Sequence, residues 1–362
     1  MTAPPSALWQ RIQSSGFTTL AVMGMTKNTG KTVALNHLLA QAAASGVAVG
    51  VTSIGRDGEE RDQVFYVPKP PVRVWPGTLV ATARDTLQRA KVRCQPIGAT
   101  GIDSPMGEIL VVKAQGYGEM EIAGASRGSD QRQLIVRLQQ CGAALVLLDG
   151  ALGRSHHASP ALADGVILAT GAALGGGMAD VLRKTRDRLA ILGIAQADTA
   201  LRSLCAPVFA GSGIGLWDRQ DKALFAAQIA TLNAAPALMQ YAQADIKTIA
   251  VTGAVGRTLW RAFLELASVR PGLRVVVNDG TKLFVEAADL AAFARLGGQL
   301  LAHRAIHLSG ITLNPFSPLG GSFDAAVFLA TARAAFADYG VSDVLLEEKI
   351  QNQEETPCPN CI

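Results

Sequence analysis

The sequence predicts an α/β fold: a parallel sheet built from strand–helix–strand units, with a β-rich insertion, followed by a second, smaller α/β domain. Three observations carry this prediction. Apolar runs of strand length alternate with helical patterns, first in "FTTLAVM", "KTVALNHLLAQAAASG" and "VAVGVTSIG", and such alternation implies parallel strands joined by crossover helices. Residues 67–123 interrupt the alternation with Pro, Gly and short alternating runs, the mark of short strands joined by turns. The alternation then resumes and recurs late in the chain, so 362 residues divide into more than one domain.

Element by element, "FTTLAVM" is a buried strand. The helix after it places Val33, Leu35, Leu38, Leu39 and Ala42 on one face and stops at Gly46. In the insertion, "VRVW", "EILVVKAQGYG" and "MEIAG" read as short strands. "QRQLIVRLQQCG" is helical, with Ser129 or Asp130 available as its cap, and "AALVLLDG" is an apolar strand ending on Asp149. "DGVILATG" and "GGGMADVLRKTRDRLAIL" give a further strand and helix, so the first domain spans residues 1–195.

Residues 196–244 read as a helical connector, with a helix over "DKALFAAQIATLNAAPALMQYAQ". The second α/β domain, residues 245–347, runs from "IKTIAVTGAVG" through "TLWRAFLELA", "LRVVVNDG", "AADLAAFARLGG", "AIHLSGITLNP" and "FDAAVFLATARAAFADYG" to a closing strand in "VSDVLLE". Residues 348–362 form a polar tail with a terminal Cys-Pro-Asn-Cys. "LAVMGMTKNTGKTVALNHLLA" and "IAVTGAVGRTLWRAFLELA" share a strand, a glycine turn, a basic residue with Thr, and a helix. They are a degenerate duplication or a common strand–turn–helix junction, and the second lacks the loop to wrap a phosphate.

Composition narrows the function classes. Hydrophobic residues are 49% and charged residues 17%, without an uninterrupted apolar run long enough for a membrane span. The amino terminus lacks the basic start and apolar core of a secretory signal, so the expected compartment is the cytoplasm. The 33 basic residues against 29 acidic form no basic block, and aromatics are only 5%, which argues against nucleic acid as partner. Cys94, Cys141 and Cys205 read as reduced thiols. Cys358 and Cys361 make half a metal site or a redox pair, completed only by another chain.

The chemistry concentrates in "VMGMTKNTGKTVALNHLL", residues 22–39. A glycine-rich turn between a buried strand and a helix points backbone N–H groups inward, and the helix start adds positive potential, so phosphates settle there. Gly24, Thr26, Lys27, Asn28, Thr29 and Gly30 form the cradle; Lys31 reaches the β- and γ-phosphates, and Thr32 gives its hydroxyl to Mg²⁺. The fold class thereby becomes a P-loop NTPase-type parallel sheet. Asp149, at the tip of its strand, is the expected second Mg²⁺ ligand, and it is also read as a plain strand-terminal turn. Asp57 and Glu59, after the second strand, reach the same sheet edge or are solvated loop acids; Asp57 joins Lys31 and Asp149 in the catalytic set.

Arg127, near two glycines before a helix, suits a phosphate clamp, a substrate-carboxylate clamp or an exposed turn. Thr170 ends the next strand, where P-loop folds meet the base. No guanine-specific Asn-Lys-x-Asp run is present, so ATP is favoured over GTP. Arg154, His156 and His157 follow the Asp149 strand, but adjacent histidines point apart and suit no common metal. His303 and His307 have helical spacing in a run that leads into a strand, which favours core or surface roles.

Five residues, Met25 to Thr29, separate Gly24 from Gly30, where the commonest pattern has four. This longer loop resembles that of dethiobiotin synthetase and the corrinoid-amidating synthetases, in a branch that includes ATP-dependent ligases, metallochaperones and mutase-protecting GTPases. Met25 occupies the place of the second, signature lysine of some members. Together with "TSIGRDGE", "GTLVATA", "SPMGEILVVKA", "AGASRGSDQ" and "LLDGALGRSHHASPALADGVILATGAAL", the loop resembles the P-loop subunit that, with a MutS-like ATPase, reactivates the B12- and PLP-dependent lysine 5,6-aminomutase.

That resemblance implies an ATP-hydrolysing accessory protein of amino-acid degradation. Its partners would be aminomutase subunits and a MutS-like ATPase, with homodimerisation among the expectations. Nucleotide-ordered loops would relax on hydrolysis and so supply work against tightly bound, damaged cobalamin. The alternatives are an ATP-dependent synthetase acting on a small carboxylated substrate, with Arg127 as clamp, and a nucleotide-binding scaffold that does not hydrolyse.

Overall fold

The computed structural model describes residues 5–53, 71–150, 159–318 and 320–354. The chain forms two compact units, Met1–Thr185 with Leu308–Ile362, and Arg186–His307. Among the described residues, the strands of the first unit are β1 (Thr19–Gly24), β2 (Val49–Ser53), β3 (Val72–Val74), β4 (Leu79–Ala83), β5 (Cys94–Ser104), β6 (Gly107–Ala114), β7 (Gly118–Met120), β8 (Leu145–Asp149) and β9 (Gly165–Gly171). After the second unit come β15 (Leu308–Asn314) and β16 (Val341–Ser342). Helices α1 (Ala7–Ser15), α2 (Lys31–Ala44), α3 (Arg84–Gln88) and α4 (Gly128–Gln140) lie between the early strands, and α5 (Met178–Leu192) follows β9. The chain ends in α10 (Ala325–Ala335) and α11 (Val344–Glu354).

Nine of these strands form one sheet in the order β16-β15-β9-β1-β8-β2-β4-β6-β5. Pairing is parallel from β16 to β4, and β6 and β5 add antiparallel strands at one edge. The continuous apolar runs of β1, β8 and β9 are buried along nearly their whole length, as strands covered on both faces must be. In α2, the helical spacing of Ala34, Leu35, Leu38, Leu39 and Ala42 becomes a buried stripe, in one core with Leu20, Val22, Val51, Leu147 and Ile167. Val33 is only half-buried.

Both β1 and α2 are anchored from outside. The Asp164 carboxylate accepts hydrogen bonds from Thr18 N, Thr18 Oγ1 and Thr19 N, each at 2.9 Å. Burial pushes this carboxyl upward, but the four threonine hydrogen-bond contributions together outweigh it and hold the group below its ordinary range. On α2, buried His37 bonds Ser6 Oγ through Nε2 at 2.9 Å and Glu348 through Nδ1 at 2.7 Å, which ties α1 and α11 to the helix. α1 has no counterpart in the sequence reading. Ser6 caps it, left-handed Gly16 ends it, and Trp9 is buried with its Nε1 donating to Ser45 Oγ at 2.9 Å.

The second unit, read by itself, is a five-stranded sheet of β10 (Ile214–Asp218), β11 (Ala223–Ala227), β12 (Ile246–Val251), β13 (Arg274–Val277) and β14 (Gln299–Ala302), ordered β11-β10-β12-β13-β14. Its last three strands are parallel, and β10 and β11 are antiparallel to their neighbours. α6 (Thr199–Ala210), α7 (Ala234–Met239), α8 (Arg257–Val269) and α9 (Ala287–Arg295) complete it. Trp260, Phe263 and Phe293 are buried at its centre.

The domain boundaries differ from the expected 1–195, 196–244 and 245–347. The first break falls within α5, residues 196–244 contribute β10 and β11 to the second sheet, and β15 pairs with β9 in the first. An apolar strand can join any sheet that buries it, so its local pattern does not reveal its neighbours. The helix expected over residues 221–243 is instead β11 and the short α7, because β10 offers an antiparallel edge to "ALFAA". The strand expected in "VSDVLLE" stops at Ser342: Asp343 accepts from Leu346 N at 3.1 Å and starts α11. The expected tail is helical as far as Glu354, and Cys358 and Cys361 lie outside the described residues. Among the described residues, no helix is long and apolar enough to cross a membrane.

Candidate functional site

β1 lies between β8 and β9: from β1 the chain goes to β2 on one side, and after β8 it crosses to β9 on the other, so the strand order reverses at β1. Ligands of open α/β sheets settle at such a switch point, outside the carboxyl ends of the strands. The loop from β1 to α2 occupies that edge. Its start is fixed by Met25 N donating to Ala169 O of β9 at 2.9 Å, and it is braced internally by Thr29 Oγ1 donating to Thr26 O at 2.9 Å. Asn28 turns the chain at φ 62°, which Asn tolerates better than most residues, and Gly30 enters the helix at φ 86°. The N-cap position is Gly30, so no side chain caps α2, and the first turn keeps its N–H groups for an external acceptor.

Lys31 folds back across this loop. A Cβ on Gly24 would lie 2.8 Å from Lys31 Cγ and Cδ and from Thr29 Oγ1, so only glycine leaves room for that path. The Lys31 ammonium donates to the carbonyl of Gly150, the residue after β8. Asp149 ends β8, is 1% exposed, and sits in register with Val22 of β1 and Ser53 of β2. Gly150 N donates to Val22 O at 3.0 Å, which holds the β8 terminus against β1. Thr32 is buried in the first turn of α2. The cradle Gly24–Gly30, Lys31, Thr32 and Asp149 are therefore brought to one edge.

The other expected residues fall as follows. Lys27 is exposed on the loop and Thr26 is half-buried. Arg127 is exposed at the head of α4, whose amino end meets the same sheet edge because α4 leads into β8. Thr170 is fully buried, and its hydroxyl is shared with Thr185 at 2.8 Å. The side chain is thus engaged inside the protein and does not face a base, which corrects its expected role. Asp57, Glu59, Arg154, His156 and His157 lie outside the described residues.

Two contributors were not anticipated. Asn314, the last residue of β15, donates from Nδ2 to Asn28 O at 2.7 Å, and its Cβ would lie 3.2 Å from a Cβ on Gly30. It props the cradle from the side away from β8. Its signal in the sequence is a polar residue closing an apolar strand, the same pattern as Asp149, but that pattern does not tell that the strand pairs with β9. Ser53 closes β2 beside Asp149; its hydroxyl donates to Ile122 O at 2.8 Å and accepts from Gly124 N at 3.1 Å, joining the strand ends to the loop that carries Arg127.

Among the described residues, no three His, Cys, Asp or Glu side chains gather as a metal site. A Mg²⁺ ion carried by nucleotide phosphates needs only one or two protein oxygens, and Thr32 and Asp149 are the residues at this edge whose chemistry would suit one. Comparison of the chain with family models, with curated proteins and with solved structures gives no match.

Proposed function

We propose that the chain binds and hydrolyses a nucleoside triphosphate, with ATP preferred to GTP, at the carboxyl edge of the first sheet. One observation carries the reading: the Lys31 side chain passes over Gly24 and sets its ammonium on the Gly150 carbonyl beside the Asp149 strand end, at the head of a helix with no side-chain cap. In that position Lys31 moves a short distance from the Gly150 carbonyl to a phosphate oxygen. The N–H groups of the loop and of the first turn of α2 orient the phosphate chain. Thr32 and Asp149 would hold Mg²⁺, which supplies charge neutralisation at the phosphates when bound. Asn314 and Ser53 keep the surrounding strand ends in place.

The accessory role, driving release of damaged cofactor from a B12-dependent aminomutase together with a MutS-like ATPase, rests on the sequence resemblance. The exposed Arg127 at the head of α4 favours a second reading, an ATP-dependent synthetase whose substrate carboxylate it clamps. Calorimetric titration with Mg-ATP and Mg-GTP, followed by hydrolysis assays with and without aminomutase, separates these readings. The accessory role expects binding, slow hydrolysis alone and acceleration by the mutase. Turnover that requires a small carboxylated compound and no protein selects the synthetase, and binding without turnover under either condition selects a scaffold. No binding by the unaltered chain rejects the nucleotide reading altogether.

A further inference from the structure

The carboxyl edge of the second sheet carries a basic cluster that nucleotide binding at the first sheet does not use. Val251, Val277 and Ala302 lie in register at the ends of the parallel strands β12, β13 and β14. The loops that leave these strands are joined by Asn278: its side-chain carbonyl accepts from Gly253 N at 2.9 Å and its main-chain carbonyl from Arg304 N at 3.0 Å. His303 N donates to Val277 O at 2.7 Å. His303 and Arg304 thus continue the β14 ladder and do not wander as a free loop.

α6 supplies the opposing wall. Arg202 and Phe209, at i and i+7 on this helix, are two turns apart and share a face. Phe209 stacks on the His303 ring with centroids 4.2 Å apart and planes inclined by 16°. Burial lowers the imidazole pKa first; the positive charges of Arg202, from α6, and Arg304, from its own loop, lower it further, and no carboxylate opposes them. Arg202 Nε and His303 Nδ1 are buried with no hydrogen-bond partner. Among the described residues, no ion pair engages Arg202, His303 or Arg304. A buried arginine nitrogen and a buried imidazole nitrogen, both without partners and with a further arginine next along the chain, make an unfavourable arrangement for the protein alone.

An oxyanion relieves all of it at once. Guanidinium forks match oxyanions in geometry, and ligands of open α/β sheets bind outside the carboxyl ends of parallel strands. We propose that this cluster is a second, independent anion site. It takes the phosphoryl group of a small phosphorylated molecule, with Arg202, Arg304 and His303 as donors and the Phe209 ring fixing the imidazole. Two guanidinium donors and an imidazole that takes up a proton on binding, from two walls, suit a tetrahedral dianion better than a planar carboxylate.

The test uses the full chain carrying Lys31→Ala, so that the first site is silenced, titrated with inorganic phosphate at constant ionic strength. The His303 ring resonances are followed by NMR, and heats are measured in two buffers of different ionisation enthalpy. The expected result is a saturable shift of the His303 ring with proton uptake near neutral pH, because the bound dianion reverses the local field. Affinity should fall about ten-fold in Arg202→Gln and in Arg304→Gln, but not in Arg295→Gln, an exposed charge control on α9. Matching melting curves establish that the variants fold, and the His303 titration of the unaltered cluster needs no variant. Equal binding of acetate would overturn the phosphoryl assignment. A His303 ring that does not respond saturably to phosphate, or a response unchanged in both arginine variants, would overturn the site.

Discussion

Two strand–turn–helix junctions, β1 into α2 and β12 into α8, carry similar sequences and hold their basic residues in opposite ways. Gly30 enters α2 in the left-handed region at φ 86°, whereas Gly256 enters α8 in an extended conformation at φ −96°. Lys31 folds inward, over the loop to the Gly150 carbonyl on the neighbouring strand end. Arg257 turns outward and meets Glu286 at 3.2 Å in a largely exposed pair, an arrangement worth little to stability. The two motifs share an order of residue types, but only the first has a loop that wraps and a neighbouring strand that receives the side chain. A basic residue at a helix start is therefore not by itself evidence of a phosphate site; its direction decides.

The sharpest way to break this contrast is to remove both basic residues in turn. Lys31→Ala is expected to lower nucleotide hydrolysis by about 10²–10³-fold, the scale for losing one preorganised donor to developing charge. Arg257→Ala should leave the rate unchanged; a comparable loss in a steady-state assay would show that the second junction also serves the reaction. The glycines give the next largest effect. In Gly24→Ala the new methyl meets Lys31 and Thr29 at 2.8 Å, so nucleotide affinity should drop about ten-fold as Lys31 is displaced, at a cost of about 1–3 kcal/mol in folding. Gly256→Ala has open space and an ordinary φ, and calorimetry should find it neutral.

Asn314→Ala tests whether the first junction needs its brace from β15. Losing the bond to Asn28 should cost about 1 kcal/mol in stability and weaken nucleotide binding a few-fold, both measurable in one thermal-shift series. The smallest effect concerns the amino end of β1, where Asp164 holds the strand. Its carboxyl is lowered in the folded chain, so its contribution is present above the ordinary carboxylate range and is lost as pH falls through the lowered value. In Asp164→Asn the acid limb of the stability curve should become shallower. An unchanged slope in denaturant titrations across that range would show that the clamp carries no linkage.

Much of the first site was legible because its determinants are local. Gly24, Gly30, Lys31 and Thr32 fall within one strand–loop–helix, and apolar β8 announces its terminal Asp149 without reference to any other element. Thr170 shows where local reading misleads: a hydroxyl at a strand end looks available until its neighbour Thr185, about two helix turns into α5, is seen to take it. Helix α1 and the start of α11 were missed although their caps, Ser6 and Asp343, stand in the sequence, because a single polar residue signals a cap only when the chain around it is known to be helical.

The sequence by itself determined the alternation of strands and helices, the glycine-rich loop between β1 and α2 and the acidic end of β8, since each depends on periodicity and spacing within a short stretch. Only the tertiary structure decided that β15 returns to the first sheet, that Asn314 bonds the loop after β1, that Lys31 folds inward while Arg257 faces solvent, and that Phe209 of α6 stacks on His303 at the second sheet's edge. Those facts depend on which apolar faces bury one another. A buried strand fits equally well beside many partners until the whole core is packed.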